Sequence, residues 1–242
     1  MAKMKLDELV TQLRAVYGDA LSALVLYGSA AGGEYHEKRS DMNVLVIAKS
    51  LTVKSMRAAG AVARAWGEAG HPPPLTLTEA EWRSSVDVFA MEHADIIQRH
   101  KILFSSPSFN LLSGVSVSPR DLRLQLEYEA LGALLRLRGR VLTSDHDAAK
   151  RLEMLVSGTS QVLVLFRATL RIRDEVPPSD NEALCRLTAS HAGFDPAPFI
   201  AVLGHWRGGK GFDLATLDTV LEAYHSGLEQ LVAYLDLLPE GA

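Results

Sequence analysis

Hydrophobic positions change their spacing once along this chain, near residue 115. Before that point, amphipathic helical patterns alternate with short apolar runs of strand length, such as residues 24–27 and 44–47. Helices that alternate with strands are typical of an α/β (α+β) domain. We therefore assign residues 1–115 to one domain of this class.

The rest of the chain, residues 116–242, has only helical spacing. Ser118 and Pro119 supply an N-cap and a proline at the first helical position. The helix that follows carries an apolar stripe of Leu124, Tyr128, Leu131 and Leu135. The last helix carries a heptad seam of Leu214, Leu217, Leu221, Tyr224, Leu228, Leu231, Leu235 and Leu238. Such apolar faces predict an all-α helical bundle.

Composition limits the classes of protein that this chain can belong to. Its 242 residues are 48% hydrophobic and 22% charged, as in ordinary globular proteins. A formal net charge of −4 argues against broad nucleic-acid binding, which needs many basic residues. The single cysteine, Cys185, excludes an internal disulfide and is predicted to be a core residue. No apolar run approaches the roughly 20 residues of a membrane span, and no signal peptide is evident. We expect a cytoplasmic protein without a membrane partner.

Polar residues at the ends of two neighbouring predicted strands carry the candidate chemistry. The first strand ends at Gly28-Ser29, where backbone N–H groups can bind a phosphate at the start of a helix. The second begins with Asp41 and Asn43, which point to the same face because strand side chains alternate. A carboxylate and an amide oxygen can share a hard cation such as Mg²⁺. The two strand ends therefore predict a site for a metal and a nucleotide.

These motifs resemble the nucleotidyltransferase superfamily, which includes DNA polymerase beta and the kanamycin and aminoglycoside nucleotidyltransferases. The family signature is an apolar strand, Gly-Ser, about ten residues of turn and helix, and Asp-x-Asp on a second strand. In this chain the second aspartate is Asn43. The resemblance implies a polymerase-beta-like fold for residues 1–115, followed by a helical bundle as in the antibiotic nucleotidyltransferases.

The resemblance also implies a reaction, in which a nucleoside monophosphate passes from ATP or another NTP to a hydroxyl group. It implies that Gly28 and Ser29 bind the phosphates and that Asp41 and Asn43 bind Mg²⁺. The amide of Asn43 can coordinate Mg²⁺ but contributes no charge. We therefore expect a degenerate active site with slow or absent turnover.

The family draws a third acid from the strand that follows the next helix, and this chain offers two placements for that strand. In the first, residues 75–77 form the strand, and the acid position falls near Pro73 or Leu75, neither of which can bind a metal. The prolines before this strand predict that it lies at the edge of the sheet. In the second, residues 93–97 form the strand, and Asp95 supplies the acid.

The flanking patterns favour the first placement. Thr78 and Glu81 form a capping box that predicts a new helix directly after residues 75–77. Residues 95–104 have the pattern of a helix that leads into a strand. Asp95 then lies on a helix, and the metal site lacks its third acid.

Glu127 and Glu129 lie on the first helix of the predicted bundle, and either could be the general base, with Glu127 the candidate. The resemblance implies this role, because kanamycin nucleotidyltransferase takes a glutamate from its helical domain to act on the acceptor hydroxyl. The alternative is an exposed ion pair of a helix surface.

Two functions remain open at this level. The first is a metal-dependent nucleotidyltransferase that acts on an unknown small-molecule or protein acceptor. The second is a catalytically inactive protein of the same fold that serves as a nucleotide sensor or an interaction module. The Gly-Ser turn and Asp41 favour the enzyme, whereas the missing carboxylates favour the inactive protein.

Overall fold

The computed structural model describes residues 3–32, 42–144, 147–209 and 211–238. Backbone contacts divide the chain into two compact units, Met1–Val117 and Ser118–Ala242. Every β-strand in the described ranges lies in the first unit, whereas the second unit is built from helices. The change from mixed to helical structure therefore falls just before Ser118.

The first unit is a four-stranded sheet with helices on both faces. Its helices and strands are α1 (Leu6–Tyr17), β1 (Leu21–Tyr27), β2 (Asn43–Ala48), α2 (Val53–Glu68), β3 (Leu75–Thr78), α3 (Glu79–Ser84), α4 (Ala90–Gln98) and β4 (His100–Ser105). The strand order is β3-β2-β1-β4, with β1 antiparallel to both neighbours and β2 parallel to β3. The last residue of β1 therefore lies between the first residues of β2 and β4.

Alternation along the strands sends side chains into two separate cores. One core joins the sheet to α1 and α2 and contains Leu24, Leu26, Val44, Val46 and Trp66. The other joins the sheet to α3 and α4 and contains Val25, Leu45, Ile47, Trp82 and Ile96. Because helices cover both faces, β1 and β2 are continuous apolar runs rather than alternating ones.

Strand β3 has the position that its prolines predicted, at the edge of the sheet. The side chain of Thr78 accepts a hydrogen bond from the N–H of Glu81 at 3.1 Å and caps α3, as the capping box predicted. These observations confirm the first placement of the third strand. The placement at residues 93–97 is wrong, because those residues belong to α4.

In the described part of the second unit there are five α-helices and one short 3₁₀ helix, Leu214–Thr216. The α-helices are α5 (Pro119–Thr143), α6 (Ala148–Ile172), α7 (Asn181–Ala192), α8 (Ala197–Trp206) and α9 (Leu217–Asp236). The predicted seam of α9 is confirmed between Leu217 and Leu235, where its residues are buried. Together with the first unit, this arrangement confirms the predicted fold class.

The apolar stripe predicted to pack on α5 is wrong, because its four residues lie on an exposed face. Leu124, Tyr128, Leu131 and Leu135 are exposed by 45–75% of their surface. A different set of residues packs in the bundle, namely Leu122, Leu126, Ala130, Ala133, Leu134 and Leu137. Since α5 carries apolar residues on more than one face, spacing alone selected the wrong face as the buried one.

Cys185 is a buried free thiol on α7, which confirms its predicted place in the core. Burial, the main cause, raises the pKa of this thiol to about 12, against a smaller lowering effect of the Arg167 charge. Among the described helices, none combines the length and the apolar composition needed to cross a membrane.

Candidate functional site

A tight turn follows β1 and forms one wall of the candidate site. We call residues 28–32 the Gly28 turn. It begins with a 3₁₀ turn, Gly28–Ala30, and the N–H groups of Ala31 and Gly32 both donate to the carbonyl oxygen of Gly28 at 3.1 Å. Gly28 has a φ of +75°, which favours glycine because it lacks a Cβ atom. The structure describes the backbone of Ser29 but not its side chain.

Asn43, the first residue of β2, lies beside this turn. It is half-buried and is paired with Tyr27 in the antiparallel β1–β2 register. A Cβ atom at Gly28 would stand only 3.3 Å from Nδ2 of Asn43. Just before it, the N–H of Met42 donates to Nδ1 of His71 at 3.2 Å. The sheet therefore brings Asn43 against the Gly28 turn. Asp41, the other predicted ligand of this strand, lies outside the described residues.

Strand β3 contributes no acid to this part of the sheet. Its residues are Leu75, Thr76, Leu77 and Thr78. The parallel register pairs Leu45 with Leu75, so the position level with Asn43 falls two residues earlier, at Pro73. The neighbouring strand therefore offers a proline and a leucine where the family has its third carboxylate.

Asp95 lies on α4 and is already engaged by a cation. Nη2 of Arg99 donates to both carboxylate oxygens of Asp95, at 3.1 and 3.3 Å. The two side chains are about equally buried, with 10% of Asp95 and 12% of Arg99 exposed. The negative charge of Asp95 is thus balanced within the protein, which makes it a poor ligand for Mg²⁺.

Tyr27 shows that the acids of α4 lie near the end of β1. Burial, the main cause, and the charges of Glu92 and Asp95 together raise the pKa of Tyr27 to about 12. Both carboxylates are therefore close enough to Tyr27 for their charges to act on its hydroxyl. Glu92 is exposed, whereas Asp95 is buried.

Arg99 is the site residue that the sequence analysis missed. It lies between the end of α4 and the start of β4, where His100 is paired with Tyr27. A Cβ atom at Gly32 would stand 3.3 Å from Nη1 of Arg99 and 3.6 Å from its Cδ. Its position four residues after Asp95, directly past the last residue of α4, is the signal that could have indicated the ion pair.

The described residues do not by themselves fit Mg²⁺. Within the described ranges, no cluster of three or more His, Cys, Asp or Glu side chains could hold a metal ion. Asn43 is neutral, and Asp95 is paired with Arg99. Carboxylate oxygens supply most of the charge in protein sites for Mg²⁺.

Glu127 lies on α5, in the second unit. Nε of Arg123 donates to its Oε1 at 2.6 Å, and 30% of the Glu127 side chain is exposed. Its neighbour Glu129 accepts a hydrogen bond from Gln161 at 3.2 Å and contacts Arg136 at 3.5 Å. Glu127 is therefore an ion-paired carboxylate that solvent can reach.

Comparison with solved structures finds spectinomycin adenyltransferase AAD(9) from Enterococcus faecialis, which was solved with ATP and spectinomycin. The match has a TM-score of 0.58 and 10% sequence identity, and it covers 93% of this chain and 98% of that chain. No protein-family model matches the sequence. A search of curated proteins also finds no match. The structural match confirms the nucleotidyltransferase fold that the Gly-Ser and Asp-x-Asn motifs predicted.

Proposed function

We propose that this protein is a nucleotidyltransferase of low turnover, which transfers a nucleoside monophosphate from ATP or another NTP to a hydroxyl of a small molecule. The observation that carries the proposal is the contact between the Gly28 turn and Asn43, at the strand end where the family signature expects the phosphates. The solved adenyltransferase of the same fold holds ATP and a small-molecule acceptor, which supports these substrate classes.

Each residue has a proposed role in binding. Gly28 and Ser29 bind the phosphates through the turn, because a glycine with positive φ lets the backbone approach a ligand closely. The amide of Asn43 can donate to a phosphate oxygen or offer its own oxygen to a cation. Asp41 remains the proposed carboxylate ligand for Mg²⁺, with Asn43 beside it in sequence.

The proposed reaction is an in-line displacement at the α-phosphorus of the NTP. The acceptor oxygen forms a new bond to that phosphorus, the bond to the bridging oxygen breaks, and pyrophosphate leaves. Glu127 is the proposed base that takes the proton of the acceptor hydroxyl. Most of the acceleration would come from the positioning of the two substrates.

A specific observation favours a second candidate, a protein that binds the nucleotide without turnover. Strand β3 lacks an acid, and Asp95 is paired with Arg99. With Asn43 in place of the second aspartate, the chain therefore has two carboxylates fewer than the three that the family uses. A nucleotide sensor needs only the binding part of the site.

Calorimetry with ATP and Mg²⁺ tests the shared part of both candidates. Asp41→Ala and Ser29→Ala should each weaken binding by about tenfold, the loss of one charged or polar contact. Asp19→Ala is the matched control, because Asp19 is an exposed carboxylate before the opposite end of β1. Unchanged binding in both site variants would remove the Gly28 turn from consideration.

Release of pyrophosphate separates the enzyme from the sensor. The wild type is incubated with ATP, Mg²⁺ and a panel of aminocyclitol and aminoglycoside acceptors. Acceptor-dependent release that Glu127→Gln abolishes supports the enzyme. Tight ATP binding with no release for any acceptor supports the sensor.

A further inference from the structure

The sheet places a cation at the end of β1, where the Gly28 turn begins. Strand β4 runs antiparallel to β1, and its first residue, His100, is paired with Tyr27. Arg99 precedes His100 and therefore lies next to the residue from which the turn starts. Helix α4 ends at Gln98, so the position of Arg99 is fixed by a helix on one side and a strand on the other.

The turn closes directly on the guanidinium group. A Cβ atom at Gly32 would lie 3.3 Å from Nη1 of Arg99, so a side chain at residue 32 would shift the guanidinium by a few tenths of an ångström. The other terminal nitrogen, Nη2, carries both bonds to Asp95. With 12% of its side chain exposed, Arg99 is held at one place against the turn.

A nucleoside triphosphate needs positive charge where its phosphates bind. In the family, metal ions held by carboxylates supply that charge, but Asn43 is neutral and β3 has no acid. An arginine offers several N–H donors in a rigid plane that suits phosphate oxygens. Charge-assisted hydrogen bonds of this kind are about twice as strong as neutral ones.

We propose that Arg99 is the fixed cation of this site, and that its guanidinium binds the triphosphate so that the nucleotide is held without a divalent metal. The inference rests on the proposed nucleotide site at the Gly28 turn. Asp95 then has a positioning role, because its two hydrogen bonds orient Arg99. Its negative charge also opposes the phosphates.

The test is a titration with ATP, and separately with inorganic triphosphate, in EDTA and in Mg²⁺. The wild type should bind ATP in EDTA within about tenfold of its affinity in Mg²⁺. Arg99→Met keeps the aliphatic packing, removes the charge and should weaken binding in EDTA by about tenfold or more. The loss should be equal for ATP and triphosphate, because Arg99 contacts only the phosphates.

Arg83→Met is the matched control, since Arg83 also pairs with an acid four residues earlier, Glu79 at 3.6 Å, but lies on α3. It should leave binding unchanged. Gly32→Ala provides a second site variant that crowds the guanidinium of Arg99 without removing it and should also weaken binding. If circular dichroism shows that Arg99→Met does not fold, binding by Gly32→Ala still tests the inference.

Asp95→Asn distinguishes the two roles of that carboxylate. If Asp95 orients and partly neutralises Arg99, the variant should tighten ATP binding in EDTA by a few-fold. If Asp95 were a metal ligand, the variant would weaken binding in Mg²⁺ and leave binding in EDTA unchanged, which would overturn the inference.

Wild-type binding in Mg²⁺ but not in EDTA would overturn the inference while the proposed function stands. Equal binding by the wild type and Arg99→Met in EDTA would do the same. Absence of ATP binding under both conditions would instead reject the proposed function, and the inference with it.

Discussion

The side-chain amide of Asn43 lies 3.3 Å from the point that a Cβ atom would occupy on Gly28. The contact joins the first residue of β2 to the turn after β1. It also means that a side chain at the first position of the turn would be strained by the positive φ and would press against Asn43. Asn43, which departs from the family signature, thus lies against Gly28, which matches it.

Gly28→Ala should destabilise the protein more than the same change at Gly114. Both glycines have a similar positive φ, +75° and +72°, so both substitutions add about 1 kcal/mol of backbone strain. Only Gly28 has a close neighbour, whereas a Cβ atom at Gly114 meets nothing within 4 Å. We expect an additional loss of about 1 kcal/mol at Gly28, measured by urea denaturation. Equal losses would show that Asn43 moves aside freely.

Asn43→Asp should tighten the binding of ATP with Mg²⁺ by about tenfold, because it adds a charged oxygen ligand beside the turn. Pyrophosphate release should stay slow, since β3 still provides no third acid. Calorimetry and a release assay on the same protein check both parts, with Asn43→Ala as the control. A rise in release that matches the gain in affinity would show that Asn43 alone limits catalysis.

Trp82→Phe should lower the free energy of unfolding more than Trp66→Phe does. Both indoles are buried in the first unit, with 1% and 0% of their surface exposed. Nε1 of Trp82 donates to the carbonyl of Leu111 at 2.8 Å, whereas Nε1 of Trp66 has no partner within the described ranges. The lost bond should make the difference about 1–3 kcal/mol in urea denaturation. A larger loss for Trp66 would contradict the assigned bond.

Leu131→Gln and Leu134→Gln compare the exposed and the buried faces of α5. Leu131 is 45% exposed and Leu134 is 3% exposed. Glutamine has nearly the helix propensity of leucine, so the difference reports burial. We expect a change within about 0.5 kcal/mol for Leu131 and a loss above about 2 kcal/mol for Leu134. Similar losses of stability at both positions would show that the face of α5 that carries Leu131 is also packed.

The thiol of Cys185 should react very slowly with iodoacetamide in the native protein. With its pKa raised by burial to about 12, only about one thiol in ten thousand is ionised at pH 8. Folding favours the protonated thiol, so this contribution to stability is complete below the ordinary pKa of 9.0 and is lost as the pH rises towards 12. Mass spectrometry should find alkylation at pH 8 only after denaturant is added. Rapid labelling of the native chain would place the thiol at the surface.

The sequence was most informative where one local rule determined the outcome. The capping box at Thr78 and Glu81 predicted the start of α3, and the prolines before residue 75 predicted an edge strand. The seam of α9 was predictable because its apolar residues occupy a single face. In each case the pattern had only one physical interpretation.

The sequence was less informative where contacts between distant elements determined the outcome. Spacing could not tell which apolar face of α5 is buried, because α5 has apolar residues on more than one face. Arg99 escaped notice because its place beside Gly32 depends on β4 pairing with β1. The ion pair with Asp95 follows from local spacing, but its location beside the Gly28 turn depends on that strand pairing.

The central position of β1 has a consequence for the order of folding. Its two partners begin at residues 43 and 100, so the sheet is complete only after most of the first unit has been brought together. The chain must close long loops before these strands can pair, and the conformational entropy lost in closing them slows folding. In the second unit, α5 packs on α6 and α6 on α7, which are neighbours in sequence, but α5 also packs on α9, the last helix. Each unit is therefore expected to complete its native packing only when its last element, β4 in the first and α9 in the second, reaches the first or second element of that unit.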